Sequence, residues 1–197
     1  MSKVKLPITG NPDADQLLTD NPLALLLGML LDQQVTMEKA FSGPAVLAER
    51  LGHLDAARIA AMDLDEFIAV CAQTPAIHRY PTSMGTRVWE ACVFISERYD
   101  NDASKLWKRV RDGATLLTRV REVPGFGDEK SRIFVALLAK RFGRRPQGWE
   151  LASEPFGDDQ PRSVADVYDE ASLLAVREAK KAAKAKKKAA AAAKVTA

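Results

Sequence analysis

Leu116-Leu117-Thr118-Arg119-Val120-Arg121-Glu122-Val123-Pro124-Gly125-Phe126-Gly127-Asp128-Glu129-Lys130-Ser131-Arg132-Ile133 decides how the rest of the chain is read. It predicts a short helix, a tight turn in which two glycines flank one apolar residue, and a second helix. Glycine reaches the positive φ values that such a turn needs and leaves the backbone bare. The amides of the turn and of the following helix start then face outward, where a phosphate binds with the helix dipole behind it. Arg119, Arg121, Lys130 and Arg132 flank the turn with positive charge. An ordinary helix–loop–helix corner accounts for the same turn, so the surrounding sequence has to choose between the two.

Outward from the turn, hydrophobic spacing is helical. Ile133, Phe134, Leu137, Leu138 and Phe142 form one stripe after the glycines, and Met84, Val88, Ala91, Cys92, Ile95 and Tyr99 form another before them. Residues 23–31 are apolar on all sides, which predicts a central buried helix. Shorter helices are expected at 35–51 (broken near Gly43-Pro44), 55–61, 64–73, 103–110 and 114–122. No segment alternates with period two, and the fold class is all-α. Residues 143–162, rich in Gly, Pro and polar side chains, read as a long loop with Trp149 and Phe156 as anchors. A helix restarts near Ser163 and runs into a Lys/Ala tail, which no large apolar residue holds to a core after Val176.

The 197 residues suit about one domain, divided here into a folded part at 1–176 and a basic tail at 177–197. The longest apolar run is half of what a bilayer span needs and no charged-then-apolar leader precedes it, which reads as neither membrane-embedded nor secreted. Cys71 and Cys92 are too few for a disulfide framework or a four-thiolate metal or iron–sulfur site, and read as small core residues of a cytosolic protein. The net charge of +3 is unevenly spread: the tail carries +7, residues 105–145 carry +8, and the remainder sums to −12. One face for a polyanion and another that avoids it follow from such a division.

The hairpin resembles the helix–hairpin–helix of the base-excision DNA glycosylases. This is the endonuclease III-like (HhH-GPD) superfamily, named for its hairpin and a following Gly/Pro-rich loop with an aspartate. Asn21-Pro22-Leu23 through Leu30-Leu31-Asp32-Gln33-Gln34-Val35-Thr36 is similar to the family's first core helix, which ends in a glutamine-containing turn. Arg87-Val88-Trp89-Glu90-Ala91-Cys92 through Tyr99 is similar to the helix that leads to the hairpin. The likeness covers residues 21–143 in order, with the hairpin at 116–142 and the loop at 143–162.

The resemblance implies a two-subdomain helical bundle that binds double-stranded DNA carrying a modified or mismatched base, flips that nucleotide and cleaves its N-glycosidic bond. The transition state is oxocarbenium-like, so a carboxylate beneath the sugar stabilises it. By resemblance that carboxylate is Asp166, with Asp158, Asp159 and Asp169 as competitors and a helix N-terminal acid as its plain role. Members that also cleave the strand carry a lysine two residues after the second hairpin glycine. Glu129 stands there, and Lys130, about 100° further round a helix, should point elsewhere. A monofunctional hydrolase follows, with Lys130 as a phosphate contact or a solvated surface group.

Gln34 is the candidate wedge for the vacated stack, with Gln33 beside it and Tyr80 entering from the other side. A polar helix end and a surface aromatic before a proline are their plain roles. His78 contacts phosphate or serves as a structural hydrogen-bonder. Val123, Pro124, Gly125, Phe126 and Gly127 complete the implied DNA-binding set, and Trp149 and Phe156 are candidates for pocket walls. The implied member has no iron–sulfur cluster, a monovalent cation at the hairpin as its only candidate ion, an open cleft because little follows Asp166, and a monomeric, nucleoid-associated existence in the cytoplasm. The tail resembles Lys/Ala tails that bind DNA without sequence preference. The competing functions are a non-catalytic DNA-binding protein on the same scaffold, a lyase acting through Lys130, and a helical protein–protein adaptor.

Overall fold

The computed structural model describes residues 4–195, with side chains described through residue 185. Among the described residues ten α-helices follow one another: α1 (Pro12–Asp20), α2 (Pro22–Leu31), α3 (Met37–Leu51), α4 (Ala56–Ala60), α5 (Leu64–Ala72), α6 (Pro81–Tyr99), α7 (Gly113–Arg121), α8 (Asp128–Phe142), α9 (Trp149–Ala152) and α10 (Glu170–Val195). Two 3-10 turns intervene, Ala103–Leu106 and Val164–Asp166. The described residues form no strand, only one isolated bridge between Asp112 and Gln147. No helix among them is long and apolar enough to cross a membrane.

Two helices organise the core, α2 because it is apolar all round and α8 because its middle turns are. Every residue of α2 from Leu23 to Leu31 is buried, and α1, α3 and α6 pack around it. Asn21 caps its start by accepting from the amides of Leu23 and Ala24, with Pro22 at the first helical position, where no amide is needed. In α8, residues 134–139 are all fully buried, and α7, α9 and the second 3-10 turn surround them. Phe134 presents an edge to both Trp107 and Phe126, at 5.7 and 5.6 Å between ring centroids. The N-terminal segment joins the two groups, with Leu6 and Ile8 buried and Lys5 O accepting from Arg141 Nε at 2.9 Å.

Several expectations need correction. α3 is not broken at Gly43-Pro44. The proline forfeits one hydrogen bond, but α3 is pressed along α2 so closely that a Cβ on Gly28 would lie 2.7 Å from Phe41 and one on Gly43 2.5 Å from Leu31. Residues 103–110 form only a 3-10 turn before Arg109 takes a left-handed conformation, φ +63°. The restart at Ser163 is likewise a 3-10 turn, and α10 begins at Glu170. α10 is also held beyond Val176, through ion pairs rather than apolar packing: Arg177 with Glu38, and Lys180 with Asp32 at 3.8 Å. The tail's lysines at 186–188 and 194 lie outside the residues whose side chains are described.

Candidate functional site

The hairpin forms as its glycines require. Gly125 sits at φ +84°, the Phe126 amide closes the turn on Val123 O at 3.0 Å, and Gly127 begins α8 without a capping side chain. The first amides of α8 therefore have no side-chain acceptor and face outward with the helix dipole. Val123 and Phe126 are 1% and 6% exposed, so they, like the two glycines, offer only main chain to a ligand. Asp128 is the acid nearest those amides, and Arg121 and Arg132 both hold it.

Across from the hairpin, α2 ends at Asp32 and the chain passes through Gln33 and Gln34. Gln33 is fully engaged: Nε2 donates to Leu30 O at 3.1 Å, Oε1 accepts from Arg87 at 2.9 Å, and its carbonyl meets His78 Nε2 at 2.8 Å. That network removes Gln33 from the candidate wedges. Gln34 is exposed and held at φ +54°, a backbone region glutamine seldom adopts. His78, 2% exposed, is the clasp beneath it. Its Nδ1 accepts from the Tyr80 amide at 3.0 Å, so Nε2 carries the proton donated to Gln33 O, and burial lowers its pKa. Tyr80 is 43% exposed beside this turn, with Arg79 over its ring.

Between hairpin and glutamine turn lies a cleft of about 930 Å³. Gly125, Gly127 and Lys130 line one side, and Asp32, Gln33 and Gln34 another. Phe156, Pro161 and Arg162 from the long loop close a third side, and Ala179, Lys180 and Ala183 of α10 a fourth. The open cleft expected from the scarcity of chain after Asp166 is thus partly walled by α10. Phe156 does line it, whereas Trp149 packs against the core.

Lys130 corrects one expectation. It reaches into the cleft, which Glu129 also lines, and its Nζ donates to Leu30 O at 2.5 Å. It is no solvated surface group. Desolvation is the main cause that lowers its pKa to about 8, with Asp32 opposing and Arg87 assisting. Below about pH 8 the ammonium persists in both folded and unfolded chains. Between about 8 and the ordinary 10.5 only the unfolded chain keeps the proton, so this group's contribution to stability rises with pH across that window. In methylated protein followed by NMR, one lysine resonance should titrate near pH 8 and vanish in Lys130→Met. A set of lysines all titrating in the ordinary range would contradict the burial of this amine.

Asp166 corrects another. Its Oδ2 accepts from the amides of Arg162 and Ser163, both at 2.9 Å, and its Oδ1 pairs with Lys140 Nζ at 2.6 Å. Lys140 stands thirteen residues beyond Gly127, roughly 20 Å along α8 at ~1.5 Å per residue. Asp166 lines a separate cavity of about 490 Å³, behind the segment at 160–162 that walls the cleft. Its competitors do not line the cleft either: Asp158 pairs with Arg162, Asp159 lines the Asp166 cavity, and Asp169 accepts from Ser172 N. The long loop is the physical reason, because its own chain comes between the carboxylate and the hairpin.

Three carboxylates line the cleft: Asp128, held by Arg121 and Arg132, Glu129, exposed on the first turn of α8, and Asp32, 12% exposed and near both Lys130 and Lys180. Sequence signals existed for Asp32. An acid at a helix C-terminus opposes the dipole and calls for compensating cations, which Lys130 and Lys180 supply. A monovalent cation at the hairpin would rest on main-chain carbonyls, since Gly125, Phe126 and Gly127 carry no ligating side chain. Val123 O accepts one backbone bond and keeps a lone pair, but a single such carbonyl does not make a cation site. Among the described residues no group of His, Cys, Asp and Glu side chains is arranged to hold a metal ion. Comparisons with protein-family models, with curated proteins and with solved structures found no match to this chain.

Proposed function

We propose that this protein is a DNA base-excision glycosylase of helix–hairpin–helix type, acting on a flipped base held in the cleft between the hairpin and the glutamine turn. One observation carries the reading: the outward amides of α8, the exposed Gln34 and a nucleotide-sized cleft with an amine and a carboxylate adjoin one another. The hairpin amides anchor a phosphate, and Gln34, with Tyr80 nearby, fills the vacated stack. Asp32 stabilises the oxocarbenium-like charge that develops as the glycosidic bond breaks. Lys130, an ammonium at neutral pH with a pKa near the working range, donates a proton to the departing base. Water completes the hydrolysis, which keeps the enzyme monofunctional.

The ion pair between Asp166 and Lys140 favours a second reading, a non-catalytic DNA-binding protein on the same scaffold. Duplexes carrying alkylated, deaminated, oxidised or mismatched bases, treated with and without alkali, separate the two. The first reading expects an abasic site revealed only by alkali, lost in Asp32→Asn and kept in Asp166→Asn. Binding without base release from any duplex establishes the second. A covalent complex trapped by borohydride would overturn the monofunctional assignment, and activity lost only in Asp166→Asn would return the carboxylate role to that residue.

A further inference from the structure

α10 is fastened to the fold in two different ways along its length. Leu173 and Val176, 9% and 0% exposed, belong to the core. From Arg177 to Ala185 every residue is exposed except Ala179, which is half-buried. What holds this second stretch is ionic: Arg177 pairs with Glu38 at the start of α3, and Lys180 Nζ lies 3.8 Å from Asp32 Oδ2. The two cationic side chains are 49% and 40% exposed, and pairs as open to water as these hold weakly.

The stretch nevertheless lies against the cleft. Ala179, Lys180 and Ala183 share one face of α10 and line the same cleft as Gly125 and Gly127 of the hairpin. Lys180 thereby puts a second ammonium beside Asp32, which Lys130 already neighbours. One cation balances the carboxylate, and two overcompensate it. A carboxylate stabilises an oxocarbenium-like charge through its negative field, from which each adjacent cation subtracts. The seated helix therefore weakens the group on which the chemistry depends.

The same stretch has a stronger attraction elsewhere. Lys181 and Lys184 are exposed, with no side-chain hydrogen bond or ion pair among the described residues, and the sequence adds four lysines at 186–188 and 194. A polyanion offers these cations a row of phosphates, against the two carboxylates that Arg177 and Lys180 now share. A duplex seated on the hairpin brings its phosphates to the cleft that this stretch walls.

We infer that residues 177–185 form a strap that closes the cleft in the free protein and is released by the duplex that the hairpin binds. It rests on the DNA-binding reading above and adds its regulation. With the strap seated, Lys180 masks Asp32; phosphates that draw off Arg177 and Lys180 bare the carboxylate only when DNA is present.

Full-length protein carrying nitroxide labels at Glu49→Cys on α3 and Ala182→Cys on the strap, both exposed positions, tests the inference by double electron–electron resonance. Cys71 and Cys92 are buried and take no label. The free protein is expected to give one narrow distance distribution. Lesion-free duplex of about two helical turns, its binding followed by anisotropy, is expected to shift that distribution to longer and broader distances, and Arg177→Gln/Lys180→Gln to do so without DNA. A broad distribution in the free wild-type protein overturns the closed state. An unmoved distance in protein that has bound the duplex, or in the double glutamine variant, overturns the strap and leaves the hairpin reading standing. Failure of the wild-type protein to bind duplex at low salt overturns both.

Discussion

Truncation of Phe134 to alanine is expected to destabilise the protein by about 3–5 kcal/mol, the usual range for a fully buried phenylalanine. For a chain of this size that lowers the melting temperature by roughly 6–20 °C. The side chain is 0% exposed and its edge contacts reach Trp107 on one side and Phe126 on the other. Phe126 is the apolar residue between the two hairpin glycines, so the cavity opens directly beneath the turn. Calorimetry should register the loss of stability. DNA affinity measured well below the new melting point should fall as well, because the hairpin loses the ring that seats it. Phe134→Leu, which refills most of the space, should restore much of both. A hairpin that keeps full affinity over the cavity would show that Gly125 and Gly127 hold the turn without support from the core.

Lys130→Met is expected to separate chemistry from folding. Leu30 O keeps its bond from Gln33 Nε2, so loss of the amine leaves no buried carbonyl unpaired, and a poorly solvated cation disappears. Stability should therefore stay within about 1 kcal/mol of wild type. Base release should not. If Lys130 protonates the departing base, release of neutral bases falls by about 10²–10³, a typical contribution for a positioned proton donor. Release of a cationic N-alkylated base, which needs no proton, should fall much less. The same logic sets the pH profile: the donor is protonated below its pKa of about 8, so wild-type release of neutral bases declines as pH rises through that value. Equal losses for neutral and cationic bases would make Lys130 a positioning residue, and no loss would remove it from the mechanism.

The parts of this molecule that the sequence discloses are those set by local pattern. The unbroken apolar run of α2, the stripe of α6 and the glycine pair before α8 all correspond to elements, since periodicity and φ requirements act over a few residues. α1 has only the Asn11-Pro12 signal, a repeat of Asn21-Pro22, because only Ala14, Asp15 and Leu18 of its residues are buried and no stripe marks it. The site was harder to read because it depends on distant pairings. A helical wheel turns Lys130 away from Glu129 but does not reveal that the end of α2, a hundred residues earlier, lies in that direction. Asp166 does stand where a helix-capping acid belongs. What withdraws it from the cleft is Lys140 and the path of the loop at 160–162, neither of which leaves a local trace.

The carbonyl of Leu30 accepts two donors from different parts of the chain, Lys130 Nζ and Gln33 Nε2. Either one alone satisfies the end of α2. The fastening is therefore redundant, and redundancy changes what selection can do at residue 130. A side chain that were the sole cap of a buried helix end would be fixed by the fold, whereas this one is released from that duty and free to vary with whatever chemistry the cleft is required to perform. The second donor acts as insurance: it lets the amine leave Leu30 O for a substrate and return, without the core registering its absence.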